Sequence, residues 1–332
     1  MNTRRKMFIA LAAGALAVPF TALGQQKQRV YRVGILSSGS LSSGSQTFIG
    51  HLIEAFLQGL RELGYVEGTN VLIERRFAEG HLDRLPALAA DLVQQKVDVI
   101  FVAGSFPAQP AKQATRTIPI VFSNVHDPVG MGLVASLARP GGNMTGTSNI
   151  ASELSAKRLE LLKEAYPNIS RVAVIVPSDA FAAVQFAEVQ GAAKVLRIEA
   201  LSVEVRDRDD FERAATLLRQ WRADSIFVVQ SPTNLYKRKL LAEFAAKMRL
   251  PSVGGAREFA DAGHILSYGA NLELLYQQAA TYVDKILKGA KPSELPVEQP
   301  TKFELVINMK AAKALGLTIP HSVLLRADKV IE

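Results

Sequence analysis

The chain has 332 residues, 48% of them hydrophobic and 21% charged, with 15 Pro, 23 Gly and no Cys. At ~100 to 200 residues per domain this length predicts two domains, and the composition excludes disorder, collagen and coiled coil. The missing cysteines remove disulfides, thiolate metal sites, iron–sulfur clusters, thiol nucleophiles and a lipid on an N-terminal Cys, while a formal charge of +8 raises the question of nucleic acid or membrane.

The first element predicted is an export signal. Met-Asn-Thr-Arg-Arg-Lys opens the chain, and an uncharged stretch rich in Ala, Leu and Gly runs from Met7 to Gly24. A basic start, an apolar middle and a small-residue exit are the layout of a signal peptide, and Ala22-Leu23-Gly24 places cleavage after Gly24. A retained membrane anchor is the rival reading, against which Pro19 and the small exit residues argue. Thr3 to Phe8 also fits a twin-arginine signal, so both export routes stay open. Removing Arg4, Arg5 and Lys6 lowers the formal charge from +8 to +5. The densest remaining basic cluster, Tyr236 to Lys239, opens an amphipathic helix and reads as a solvated face, so no nucleic-acid partner is expected. An exported protein without cysteine points to the periplasm.

From Tyr31 onward short apolar runs alternate with helical stretches, the signature of parallel strands covered by helices. Strand-like runs are Val33 to Leu36, Val71 to Glu74, Val97 to Val102 and Ile118 to Phe122. A second set follows at Val172 to Val176, Leu201 to Val205, Ser225 to Val229 and Pro251 to Val253. The sets share order and partly wording: Lys96-Val-Asp-Val-Ile-Phe-Val102 parallels Arg222-Ala-Asp-Ser-Ile-Phe-Val228, and Ile118-Pro119 parallels Leu250-Pro251. Helices between them carry apolar residues at three- and four-residue spacing, as at Leu52, Phe56 and Leu60, or Leu159 and Leu162. Two similar α/β lobes in tandem follow. The tail, with a helix at Leu272 to Leu287, a strand at Phe303 to Ile307 and a short helix at Ala311 to Leu315, is too short for a third domain. It must add elements to lobes already built, so the chain crosses between them more than once and forms a hinge.

In open parallel sheets ligands bind at the carboxyl ends of strands. The residues there are Ser37-Ser38-Gly39-Ser40, Gly104-Ser105-Phe106-Pro107, Ser123 to Pro128, Pro177-Ser178-Asp179, Gln230 to Asn234, Gly254 to Glu258 and Ser267 to Asn271. Hydroxyls, amides and small residues of this kind suit a small polar ligand, particularly a carboxylate. Helix N-capping is the alternative role for each of them. Other chemistries find no support. Gly130-Met-Gly132-Leu-Val-Ala135 has the letters of a dinucleotide fingerprint but follows the fourth strand rather than the first. No phosphate loop and no nucleophile elbow occurs, and the five histidines have no metal-binding spacing, so neither cofactor nor metal is expected. His126 beside Asp127 suggests an acid–base pair only if neighbours in a loop face together; an N-cap Asp is the simpler role.

These residues also carry a family resemblance. Phe56 to Gly68, Ile118 to Phe122 leading to Asp127-Pro-Val-Gly130, Leu137 to Asn143 with Thr145-Gly146, Ser267-Tyr-Gly269, and Tyr282 through Leu295-Pro-Val-Glu298 to Asn308 resemble ABC-transporter substrate-binding proteins of the tryptophan/tyrosine-binding type. The resemblance implies the type I periplasmic-binding-protein fold: two Rossmann-like lobes with parallel sheets, joined by a multi-strand hinge, with the ligand enclosed between them. It implies residues 29–147 plus 271–298 for one lobe, and 148–270 plus 299–332 for the other. Carried over position by position, the ligand-facing loops fall on Ser37, Ser38, Gly104, Ser105, Asp127, Ser148, Asn149, Ser178, Gln230, Ser231, Glu258 and Tyr268. Phe106 stands where many relatives have Thr and would either place an aromatic wall in the cleft or pack under the loop. Ser105 or Ser38 would then hold a carboxylate, and Asp127 or Glu258 an ammonium. The partners implied are a small solute and the permease and ATPase subunits of an importer, with the binding protein a monomer and not an enzyme. A ligand sensor feeding a receptor, and an exported α/β enzyme, are the alternatives.

Overall fold

The computed structural model describes residues 29–40, 48–150, 153–177, 180–206 and 208–332. The signal peptide read at 1–24, and Ser178 among the site residues, lie outside the described residues.

The first sheet is built from β1 (Tyr31–Ser37), β2 (Val71–Phe77), β3 (Val99–Ala103), β4 (Ile120–Val125) and β5 (Met144–Ser148), all parallel, in the order β2-β1-β3-β4-β5. Helices α1 (Phe48–Glu62), α2 (Leu85–Gln94) and α3 (Ala108–Ala114) connect its strands. Every residue of β3, β4 and β5 is buried, which is why β3 and the first half of β4, Ile120 to Phe122, read as unbroken apolar runs rather than alternating ones. β5, Met-Thr-Gly-Thr-Ser, has no such run. It is a strand because β4 pairs one edge, while Thr147 bridges Glu298 at the other and Ser148 N–H donates to Glu298 O at 2.9 Å.

The second sheet holds β6 (Arg171–Val176), β7 (Glu199–Glu204), β8 (Ser225–Val228), β9 (Ser252–Gly254), β10 (Leu266–Ala270), β11 (Phe303–Asn308) and β12 (Lys329–Ile331), in the order β12-β11-β10-β9-β8-β6-β7. Its helices are α4 (Ser155–Ala165), α5 (Ala180–Leu196), α6 (Arg208–Trp221), α7 (Pro232–Tyr236), α8 (Arg238–Met248) and α9 (Arg257–Asp261), with α11 (Met309–Ala314) and α12 (His321–Leu324) in the tail. One pair is not parallel: β10 and β11 run antiparallel. The chain leaves this sheet at the end of β10, forms α10 (Leu272–Leu287) against the first sheet, and returns to the same end as β11. A strand that leaves and a strand that returns at one end must oppose each other.

Helix α10 is the element that the tail gives back to the first lobe. It packs on α1, where a Cβ on Gly59 would lie 2.9 Å from that of Ala280, so only glycine allows the two helices this approach. Beneath them Phe56 and Phe101 stack at 3.8 Å, and Tyr276 meets Phe101 edge-on at 5.7 Å. The second core is aliphatic in the main, with Leu159, Leu162, Val172, Val174 and Ile265 closed around Phe227. Among the described residues the chain crosses between the sheets three times, after β5, between β10 and α10, and between α10 and β11.

Candidate functional site

The carboxyl ends of β1, β3 and β4 face those of β8 and the loop before α7 across a cleft that is shut. Tyr236 OH and Ser38 Oγ are 3.3 Å apart, the Arg238 guanidinium lies 4.8 Å from the centre of the Phe48 ring, and His126 Nε2 is 3.1 Å from the Gln230 carbonyl oxygen. Within lies a cavity lined by Phe48, Phe106, Tyr236 and Tyr276 on its apolar side and by Ser38, Ser105, Asn124, Gln230 and Ser231 on its polar side. About 30 Å³ remains open in it, far below the roughly 300 Å³ of an ordinary ligand pocket. A solute of ordinary size has no room there while the three contacts above hold. His126 also borders a second, open groove of about 460 Å³, whose walls include Asp127, Ser148, Asn149, Glu153 and Glu188.

The polar wall of the second lobe is fixed from behind. Arg158, on the apolar face of α4 and wholly buried, donates from Nε to Tyr268 O at 2.7 Å, and from Nη2 to Gln230 Oε1 at 3.0 Å and Gly255 O at 3.4 Å. Gln185 of α5 clasps the Gln230 backbone, donating to its carbonyl at 2.7 Å and accepting from its N–H at 3.2 Å. Gly255 has no room for a side chain: a Cβ there would fall 2.3 Å from Gln230 Oε1. Asn234 ties the turn down by donating to Val229 O at 2.8 Å and Ile175 O at 3.2 Å, and its own N–H donates to Ser231 Oγ at 3.0 Å, the ordinary N-cap bond of α7.

The first lobe presents a different surface. Gly104, at φ +92°, turns the chain after β3. Ser105, buried, stands at the turn with its Oγ 3.2 Å from both the backbone N and the ring Nδ1 of His126. Burial pushes the His126 imidazole down to about 4, and the nearby Arg158 charge acts in the same direction, so the ring is neutral at pH 7. Phe106 both lines the cavity and packs on the core beneath the loop.

The residues expected from sequence thus divide. Ser38, Gly104, Ser105, Phe106, Gln230 and Ser231 meet at the cavity, while Asp127, Ser148 and Asn149 line the groove. Ser37 is buried with its Oγ accepting from Gly39 N–H at 3.1 Å. Tyr268 gives its carbonyl to Arg158, and its ring lies 6.1 Å from that of Phe303. Neither Asp127 nor Glu258 reaches the cavity. Asp127 is exposed and accepts from Gly130 N–H at 2.8 Å, as an N-cap does. Glu258, at the start of α9, has one oxygen buried without a hydrogen-bond partner, and burial pushes its carboxyl up to about 7. The expected ammonium partners are therefore displaced from the cavity by local geometry. Tyr236 and Tyr276 at the cavity, and Arg158 and Gln185 behind it, are not among the expected site residues, and His126 is expected only as part of the Ser123 to Pro128 strand end. Of the four, Arg158 leaves a trace in the sequence, as a lone cation between Leu154 and Leu162 on α4.

Among the described residues no group of three or more histidines or carboxylates could hold a metal ion, and no helix is long and apolar enough to cross a membrane. Residues 49–331 match the family model described as ABC transporter substrate binding protein. The chain belongs to that family. The binding protein is 27% identical over 265 residues to the tyrosine-binding protein of Clostridioides difficile strain R20291, covering 80% of this chain and 76% of that one. Among solved structures it superposes on a conserved domain protein from Vibrio cholerae with a TM-score of 0.82 at 29% identity. On a Streptococcus ABC domain in complex with L-Trp the TM-score is 0.81 at 26% identity. Each superposition spans 91% of the binding protein and all of the other chain. This is the α/β fold of two parallel-strand sheets expected of the type I periplasmic binding proteins, and the chain serves as the solute-binding component of an ABC transporter.

Proposed function

We propose that the binding protein is exported to the periplasm, takes up an aromatic amino acid between its lobes as a monomer, and delivers it to the permease and ATPase subunits of an importer. The observation that carries this reading is the cavity itself: four aromatic rings on one side and five hydroxyl or amide side chains on the other, at the carboxyl ends of strands from both sheets. Relatives named for tyrosine and solved with L-Trp support the ligand class.

The donors for a carboxylate are present. In the Ser38–Tyr236 pair one hydroxyl donates to the other, which leaves one hydroxyl hydrogen free whichever way the bond runs. Ser231 accepts from the Asn234 N–H and so keeps its own hydrogen for a ligand. Phe48, Phe106 and Tyr276 offer faces and edges to an aromatic side chain. Closure about the three crossing segments then buries the solute and sets the two lobe surfaces in the arrangement a permease reads. The division at 29–147 with 271–298 and 148–270 with 299–332 is the hinge placement that goes with this motion.

A thermal-shift series of the mature protein tests it. A ligand that binds only the folded state stabilises by about 2.7 kcal/mol at a hundredfold excess over its dissociation constant. L-tryptophan, L-tyrosine and L-phenylalanine at millimolar concentration are expected to raise the melting temperature, and sugars are not. No shift with any of the three sinks the reading.

A further inference from the structure

The hydrogen-bond partners of His126 fix which way the Ser105 hydroxyl points. The Gln230 carbonyl can only accept, so the hydrogen of the 3.1 Å contact belongs to His126 Nε2. A neutral imidazole with its proton on Nε2 has a bare Nδ1, which can only accept. The partner of Nδ1 is Ser105 Oγ at 3.2 Å, so the serine hydrogen is turned toward the ring. The same Oγ already accepts the His126 backbone N–H at 3.2 Å. One lone pair is left, on a side chain that lines the cavity.

We infer that His126 is a positioning residue which, on closure against Gln230, makes Ser105 an acceptor and so selects a ligand group that donates there, the α-ammonium of an amino acid. This assigns to Ser105 the opposite end of the solute from the carboxylate that sequence reasoning placed on it, and it supplies the ammonium partner that Asp127 and Glu258 do not. The inference rests on the amino-acid reading above, but its core, the tautomer of His126, does not.

The test has two arms on the full mature chain. Two-bond ¹H–¹⁵N correlation spectra at pH 7 read the His126 tautomer directly: the Nε2–H form is expected, and the Nδ1–H form or a doubly protonated ring overturns the inference. Calorimetric titration with L-tryptophan and with indole-3-propionate, which lacks the ammonium, reads the consequence. A hydrogen bond to a charged group predicts that the wild type prefers tryptophan by about 10- to 100-fold, and that Ser105→Ala brings this ratio below about threefold. A wild type without preference for the amine, or a ratio that survives Ser105→Ala, overturns the inference. Binding of neither probe refutes the amino-acid reading, and the spectra alone then decide the role of His126.

Discussion

Ser105 and Ser231 hold the same place in the two halves of the chain. Ile100-Phe-Val-Ala-Gly-Ser105 and Ile226-Phe-Val-Val-Gln-Ser231 end matching strands, β3 and β8, in matching turns. Yet Ser105 has its hydrogen turned toward His126, while Ser231 caps a helix and keeps its hydrogen for the cleft. The supports beneath them differ as well. Under Ser105 lies an aromatic stack, Phe56 on Phe101 with Tyr276 at its edge; beside Ser231, the neighbouring Gln230 rests on a buried guanidinium. A repeated strand plan therefore fixes where polar groups sit, and the non-repeated partners fix their polarity. An asymmetric solute with an acid at one end and an amine at the other requires that kind of asymmetry.

The largest effects should come from the supports. Phe101→Ala removes the middle of the stack and leaves a cavity in a wholly buried strand, an expected loss of about 3–5 kcal/mol in urea unfolding. Its counterpart is Arg158→Met, which keeps the bulk but removes the guanidinium donor from Tyr268 O, Gln230 Oε1 and Gly255 O. A loss of about 3 kcal/mol is expected. If the comparison holds, Arg158→Met also loosens Gln230 and weakens tryptophan binding beyond its effect on stability, because Gln230 forms part of the cavity. A stability loss with tryptophan affinity intact would mean that the guanidinium only fills space.

The next effect is one of pH. Burial raises the Glu258 carboxyl from 4.5 to about 7 in the folded protein, so the unfolded chain releases its proton first. The native state is thus penalised above pH 7, and the penalty disappears as pH falls to 4.5. Glu258→Gln should accordingly be more stable than wild type at pH 8, by about 2–3 kcal/mol, and equal to it near pH 4.5. Equal melting temperatures at both pH values would show that the carboxylate is relieved by solvent. His126 and His264 act in the opposite sense: their pKa values are lowered to about 4, so each costs stability as pH falls through 6.5 toward 4, and Glu258→Gln must be read as a difference from wild type.

What was legible in the sequence follows from the range of the forces involved. The strand order, the repeated Ile-Phe-Val runs and the helix at Leu272–Leu287 are written in local hydrophobic pattern, and the structure has them. β5 and β12 are not written that way. β5 pairs with β4 and is closed at its other edge by Glu298, about 150 residues onward, and β12 is a three-residue edge strand with Lys329 and Val330 exposed. The hydroxyls that line the cavity sit at strand ends, where the topology of parallel sheets puts them. The bonds that orient them are not legible because their partners are distant in the chain: Arg158 is 72 residues from Gln230, and His126 is 104. Asp127 and Glu258 show the converse. Their charge suits an ammonium, but Asp127 is satisfied three residues away and Glu258 lies outside the cavity.

The smallest effect expected is also the one that most sharpens the contrast between the two serines. Ser231→Ala removes a cap from α7, worth about 1 kcal/mol of stability, and deletes one donor to the carboxylate. Tryptophan and indole-3-propionate share that carboxylate, so both should weaken together, by about three- to tenfold. Ser105→Ala should instead act on tryptophan far more than on indole-3-propionate. Ser231→Thr, which retains both the cap and the hydroxyl, should restore both affinities, and this separates the donor from the fold of the turn. Two serines at equivalent places in the repeat would then be distinguished by which end of one ligand notices their loss. If both substitutions weakened the two ligands in the same proportion, the serines would be equivalent after all, and the asymmetry of the cleft would have to come from its aromatic wall.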